Sequence, residues 1–337
     1  MPTDYILFIH GVNERYEEDY FVKNRSKKGY KTKAKEMFEV IESNIVGESS
    51  RTCKFVPLFW GDVAEESTGR LRGQLEASDQ WKNFWFKELR TKQFLPFVGD
   101  AASYLSRFVS SEIVQQIADQ AIKGIGLSLE ALTSLPPSNK EDRLHLVTHS
   151  WGTVVLFDIL FAHRWDNDTV SDKSRQLVEN IRHGFFGVGI GEEKEYGIPL
   201  ASIHTMGSPI ALFNLINISS ESSFDFTPKL REFLEKLQTK TTKPLPWKNY
   251  AHPGDPIAYP LEGIISSLLS NPDEKLVPDK KLVDIEDVMS STFWPGNLAG
   301  ILPVINGGNA HGSYWTDPKV AKKIGEVIRS TQNQIIE

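Results

Sequence analysis

The chain has 337 residues, with 38 Lys and Arg against 44 Asp and Glu, a formal net charge of −6 and one cysteine, Cys53. That length suits one large α/β domain with insertions or two small domains, and the composition is that of an ordinary globular protein with a sizeable core. Acids alternate with bases and no long basic run occurs, which removes the electrostatic support for nucleic-acid binding. One cysteine excludes an intrachain disulfide and fits a reducing compartment.

The N-terminus runs Met1-Pro2-Thr3-Asp4 straight into Tyr5-Ile6-Leu7-Phe8-Ile9, a short apolar run that predicts a buried parallel strand. No basic-then-apolar leader precedes it, and no apolar run in the chain is long enough to span a bilayer. The expectation is a soluble cytoplasmic protein. A helix is predicted over Lys33 to Ile45, with Met37, Val40, Ile41 and Ile45 in helical register. A second strand is expected at Lys54 to Trp60, a third at Leu144 to Thr148 and a fourth at Leu200 to Thr205. Weaker strand patterns lie at Trp247 to Tyr250 and Lys281 to Ile285.

Trp151 to Phe161 is almost wholly apolar, as a helix buried against a sheet would be. Phe226 to Leu237 has Leu230, Phe233, Leu234 and Leu237 at helical spacing, and Pro318 to Ile335 reads as a terminal helix with Asp317 as its N-cap. Strands alternating with helices imply βαβ units, a mainly parallel sheet and one domain over 1–337. The stretch from Asp62 to Asp142 breaks the rhythm. It is rich in aromatics, including Trp81, Phe84, Trp85, Phe94 and Phe97, and its later part, through Ile113, Ile117 and Ala121, is helical in spacing. A parallel crossover needs only about a dozen residues, so 62–142 reads as a helical insertion. It is a candidate lid whose Trp85 and Phe97 would touch substrate, and a candidate site of peripheral membrane contact; the plain alternative is a helical pair that buries its apolar face on the domain.

The strongest chemical signal is Val147-Thr148-His149-Ser150-Trp151-Gly152-Thr153, between an apolar strand and an apolar helix. A nucleophile elbow needs that context, with small residues two before and two after the serine. Gly152 meets the second requirement. Thr148 stands where the usual pattern has Gly, and the plain alternative is an N-cap serine. His10-Gly11 follows the first strand, where an oxyanion loop belongs. There Gly11 lets the backbone approach substrate, and the amides of Val12 and Trp151 would hold the oxyanion. Alone, a His-Gly pair is more simply a turn.

A nucleophilic serine needs a base, and the base an orienting carboxylate, in the chain order Ser, acid, His. After Ser150, His163 falls at the end of the following helix, His204 inside a strand, and His183 before the Gly-rich stretch Gly187 to Gly191. His311 sits in a loop just before the last helix and is the candidate base. The candidate acid is Asp255, presented by Pro253-Gly254 after a strand end, with Asp284 and Asp287 as runners-up. Gly187-Val188-Gly189-Ile190-Gly191 does not open a helix, so it is a poor dinucleotide fingerprint. No His-Glu-x-x-His or Cys cluster suggests a metal, and no cofactor is expected.

In these motifs the chain resembles the α/β-hydrolase superfamily, and within it the lipase-like serine esterases. Thr205-Met206-Gly207-Ser208-Pro209 is similar to a Thr-x-Gly-Ser/Thr-Pro segment of many lipases, and Gly254-Asp255-Pro256-Ile257 to the acid-bearing loop. The resemblance covers the framework from about Asp4 to the C-terminus, but not 62–142. It implies an α/β-hydrolase fold, trimmed of two N-terminal strands. For function it implies a serine hydrolase acting on small-molecule or lipid esters through Ser150, Asp255 and His311, with the Val12 and Trp151 amides as oxyanion hole and His10 and Gly11 beside the substrate. Acyl transfer on the same triad, and an idle hydrolase fold used for binding or scaffolding, are the alternatives. Substrate identity and oligomeric state are not legible.

Overall fold

A computed structural model of the chain describes residues 1–11, 19–22, 25–45, 51–60, 65–84, 87, 91, 95, 107–126, 141–168, 170–182, 198–213, 225–241, 243–269, 281–290 and 310–332. In chain order it contains β1 (Thr3–Ile9), β2 (Asp19–Val22), β3 (Arg25–Lys28), α1 (Tyr30–Ile45), β4 (Thr52–Leu58), α2 (Glu65–Glu76) and α3 (Arg107–Ile125). These are followed by β5 (Arg143–His149), α4 (Trp151–Phe161), α5 (Asp172–Ile181), β6 (Leu200–Met206), α6 (Ile210–Phe213) and α7 (Thr227–Lys240). The chain ends with β7 (Leu245–Ala251), α8 (Glu262–Leu269), β8 (Val283–Met289) and α9 (Pro318–Thr331). Each predicted strand is present, displaced by a residue or two at its ends except for β8, which runs four residues past Ile285, and Asp317 caps α9 by accepting from the Lys319 amide.

The six-stranded sheet has the order β4-β1-β5-β6-β7-β8, and every neighbouring pair is parallel. β2 and β3 form a separate antiparallel pair. Both central strands β5 and β6 are buried along their whole length, which is why they read as continuous apolar runs rather than alternating ones. Alternation instead sorts their residues between the two layers of helices. Ile6 and Phe8 of β1, Val147 of β5 and Met206 of β6 meet α1 through Met37, Phe38 and Ile41, and α9 through Val320, Ile324 and Ile328. Leu7, Ile9, Leu144, Leu146 and Ile203 face the opposite layer, built from α3, α4, α5, α7 and α8.

The strand order reverses between β1 and β5: from β1 the chain moves outward to β4, then returns past β1 to β5. At such a reversal the connections leave the carboxyl ends of the two strands in opposite directions and open a crevice there. His10-Gly11 follows β1 and Ser150 follows β5, so both lie at that crevice.

The segment 62–142 is not uniform. Its helix α3 is an ordinary crossover helix, with Ile113, Val114, Ile117, Ala118 and Ala121 in the core against Val56 and Leu58 of β4. Gln120 on α3 also brackets the strand end, accepting from the Phe59 amide at 2.6 Å and donating to its carbonyl at 2.9 Å. Nearer its start, Trp81 and Phe84 stack at 5.5 Å, with Phe84 exposed. Trp85, Phe94 and Phe97 lie outside the described residues.

At the amino end of the sheet Asp4 is fully buried. It accepts from Arg51 Nη2 at 2.7 Å and from Gln332 Nε2 at 2.9 Å, while Arg51 also reaches the Glu141 carbonyl. This cluster ties the starts of β1, β4 and β5 to the end of α9. Burial by itself would raise the Asp4 carboxyl, but the neighbouring His145 ring and the hydrogen bonds from Arg51 and Gln332 outweigh it and hold the group far below the usual carboxylate range. A depressed folded-state pKa gives stability that is present above the unfolded value, about 3.9, and lost as pH falls through the folded value. Asp4→Asn is therefore expected to cost about 3 kcal/mol at pH 7, the scale for removing one partner of a buried pair. The gap from wild type should narrow as pH falls below about 4, read from urea unfolding at pH 7 and at acidic pH.

Candidate active site

Ser150 links β5 to α4 with φ 53° and ψ −133°, the only positive φ at a non-glycine among the described residues. Such a conformation costs an L-residue on the order of 1–3 kcal/mol and persists only where its surroundings hold it. Here the Ser150 amide donates to the Met206 carbonyl at 2.9 Å, and its carbonyl accepts from Thr153 at 3.1 Å. The turn is so tight that a Cβ on Gly152 would lie 2.2 Å from the His10 carbonyl oxygen, and one on Gly11 would lie 2.5 Å from Ser150 Cβ. Thr148, the departure from the usual Gly, fits because its fully buried hydroxyl bonds Thr153 Oγ1 at 2.8 Å, pinning the last turn of strand to the first turn of helix.

The serine hydroxyl is 2.7 Å from His311 Nε2, and His311 Nδ1 is 2.8 Å from Asp255 Oδ2. A carboxylate only accepts, so Nδ1 carries the hydrogen and Nε2 is left to accept the Ser150 proton. Asp255 is presented by the predicted turn: its amide donates to the His252 carbonyl at 2.9 Å, and its Oδ1 accepts from the Ile257 amide at 3.0 Å. Burial would raise the Asp255 carboxyl, yet the hydrogen bond and charge of His311, with the Ile257 amide and the Tyr314 hydroxyl, leave it below its ordinary value. It therefore stays ionised beside the imidazole at neutral pH.

The runners-up serve elsewhere. Asp287 accepts from Asn249 Nδ2 and from the Leu261 and Glu262 amides at the start of α8. Asp284 faces Lys281 and Lys248 on the outer side of β8. His163 stands in the turn after α4, paired with Asp166, and His204 is buried within β6. His183 lies outside the described residues, as does Val12. Trp151 is the first residue of α4, so its amide is among those that have no acceptor inside the helix.

Gly11 stands against the serine, whereas the His10 side chain turns into the protein. Its ring is fully buried and stacked on Phe59 at 4.6 Å and Trp60 at 5.6 Å. Its Nδ1 bonds the Gly11 carbonyl, and its Nε2 accepts from the Trp60 amide at 3.1 Å. With both nitrogens used and burial pushing its pKa down to about 3, this ring is a neutral brace for the loop after β1.

Two further residues bond within the site, Tyr314 and His149, and the sequence assigned neither a hydrogen-bonding role. The Tyr314 hydroxyl donates to Asp255 Oδ2 at 2.8 Å and accepts from the His252 amide at 2.8 Å, clamping the acid. His149 Nε2 bonds the His311 carbonyl at 2.7 Å. Tyr314 lies one helical turn past His311, and that spacing is the only sequence signal for it.

The chain has a six-stranded parallel sheet whose order reverses beneath a strand–elbow–helix, with helices on both faces, the architecture that the resemblance in the motifs implies. No family model matches the chain. Among curated proteins it is similar to phospholipase DDHD1 of Mus musculus, 22% identical over 316 residues, a match covering 80% of this chain and 50% of that one. The chain thus spans about half the length of that relative. Among solved structures, an iodinated complex of acetyl xylan esterase aligns with a TM-score of 0.34 at 10% identity, covering 99% of this chain and 100% of that one. The curated relative agrees with the lipase- and esterase-like resemblance in the motifs, at the level of a hydrolase.

The close approach of α4 to β1 has a direct test. Gly152→Ala is expected to cost about 3 kcal/mol or more, because the added methyl meets backbone rather than a yielding side chain. A Cβ on Gly263 meets nothing within 4 Å, so Gly263→Ala should be neutral or stabilise by up to about 1 kcal/mol. Thermal melting of the two variants beside wild type separates the cases.

Proposed function

We propose that the protein is a serine hydrolase that cleaves carboxylic esters, acyl or lipid-like, through an acyl-enzyme intermediate. One observation carries this reading: the unbroken line from Ser150 Oγ through His311 to Asp255, with hydrogen bonds of 2.7 and 2.8 Å. Ser150 attacks the ester carbonyl while His311 Nε2 takes its proton. Asp255 holds the imidazole in its Nδ1–H tautomer and stabilises the imidazolium that forms. The amides of Trp151 and Val12 receive the negative charge on the carbonyl oxygen, aided by the N-terminus of α4. His311 then returns the proton to the departing alcohol, and water repeats the sequence on the acyl-enzyme.

Lipid-like esters are favoured because the curated relative is named a phospholipase and because aromatics crowd the segment 62–142. The part of that segment before α3 is the proposed lid, with Trp85 and Phe97 setting acyl range, and the proposed place of any peripheral membrane contact. Among the described residues no helix is long and apolar enough to cross a membrane. Acyl transfer to an alcohol would use the same acyl-enzyme, so it remains the second reading. A binding or scaffold role is the reading that a lack of any reactivity at Ser150 would leave.

Ser150 should be labelled by a fluorophosphonate probe, located by mass spectrometry of the labelled peptide; labelling elsewhere, or none in folded protein, rejects the assignment. Asp255→Asn and His311→Ala should each lower kcat by on the order of 10³–10⁴-fold, and the double variant by little more than the worse single one, because a triad acts as a unit. Multiplying losses would show that the two are not partners. A p-nitrophenyl ester series run on wild type and on Trp85→Ala/Phe97→Ala should show a greater loss for long acyl chains than for acetate.

A further inference from the structure

We propose that His149, the residue immediately before the nucleophile, is the positioning residue of the base, holding the main chain of His311 while Ser150 engages its ring. The inference rests on the reading of Ser150 and His311 as nucleophile and base.

His149 Nε2 lies 2.7 Å from the His311 carbonyl oxygen. A carbonyl oxygen only accepts, so Nε2 carries the hydrogen and Nδ1 is a bare lone pair. Nδ1 is buried and has no hydrogen-bond partner among the described residues. It lies beside Gly11, 3.3 Å from where a Cβ on that glycine would stand. An unpaired buried acceptor costs stability, so satisfying both nitrogens is not what sets this ring's orientation. The contact it keeps is the one to His311.

The ring's surroundings reinforce that contact. It packs against His311 at 4.8 Å, Trp315 at 5.5 Å and Tyr314 at 5.9 Å between ring centroids. Burial, with the neighbouring His311 adding to it, pushes the His149 pKa well below its ordinary value. It therefore stays neutral and keeps its Nε2–H while His311 gains and loses a proton. An imidazole tethered only through Nδ1 to Asp255 can pivot about that bond and carry Nε2 away from the serine. Fixing the main chain of the same residue removes the pivot. Consecutive residues of one elbow thus hold both ends of His311, so the strained turn that presents the nucleophile also places its base.

Amide variants separate positioning from packing. The Gln side-chain nitrogen reaches the place of Nε2, whereas that of Asn stops at the place of Nδ1. His149→Gln, His149→Asn and His149→Leu are compared with wild type for p-nitrophenyl ester hydrolysis, the rate of Ser150 phosphonylation and thermal melting. The Asn and Leu variants should lose about 10- to 100-fold in kcat and labelling rate, the scale of a roughly 1 Å misplacement, with KM within about 3-fold. The Gln variant should stay within about 5-fold of wild type, since it retains the donor. Should His149→Leu melt early, the Gln–Asn contrast still decides. Equal activity in all variants, equal loss in Gln and Asn, or a loss confined to KM overturns the proposal. A wild type that neither hydrolyses esters nor labels at Ser150 overturns the hydrolase reading along with it, whereas a reactive wild type with fully reactive variants overturns this inference alone.

Discussion

The backbone at Ser150 is the constraint on which the site depends. A serine at φ 53° turns its hydroxyl out of the sheet and leaves a helix N-terminus directly behind it. That conformation is unfavourable in isolation and is held by packing on every side. α4 is buried over its whole length, and it comes so close to β1 that Gly152 has the His10 carbonyl where a side chain would be. His10, whose ring is spent on Gly11 and Trp60, keeps the β1 loop in that narrow space.

Proximity of the right residue types is not enough to make such a site, and the molecule contains its own control. Asp4, His145 and Ser202 also lie in a line: His145 Nε2 is 3.6 Å from Asp4 Oδ1, and its Nδ1 is 2.8 Å from Ser202 Oγ. Ser202 continues to His204 at 3.0 Å, and His204 to the Tyr250 hydroxyl at 3.4 Å. Ser202 sits within the extended run of β6, fully buried on the face covered by α1 and α9. It has no sharp turn and no helix N-terminus behind it. This second line fastens strands together across the sheet.

Burial also distinguishes the histidines around the elbow. His10 and His149 both stand next to the elbow, and desolvation drives both to the neutral form. Neither faces a carboxylate within hydrogen-bond reach among the described contacts. Among the described residues only His311 bridges Ser150 and an acid that is itself held ionised by its partners. The division of labour among chemically identical side chains therefore follows from which of them the tertiary packing pairs with charge.

The apolar runs of β1, β5 and β6 and the wholly apolar α4 were legible because a strand or helix buried on both sides must be apolar throughout. Chain order and strand ends alone nominated Ser150, Asp255 and His311, whose side chains the structure brings into hydrogen-bond contact. The short β2–β3 pair, with Lys and Arg in β3, and the mostly polar α5 carry no such pattern and went unread. Helical spacing in the later half of 62–142 left open whether it formed a lid or a helix packed on the domain, because spacing alone does not say which surface a helix covers; α3 packs in the core. Residues at 149, 150, 255, 311 and 314 meet only when the reversal of strand order brings the ends of β1, β5 and β7 to one edge. The tolerance of Thr148, the turning away of His10 and the grip of His149 on His311 each depend on a partner distant in sequence, and only the tertiary structure decided them.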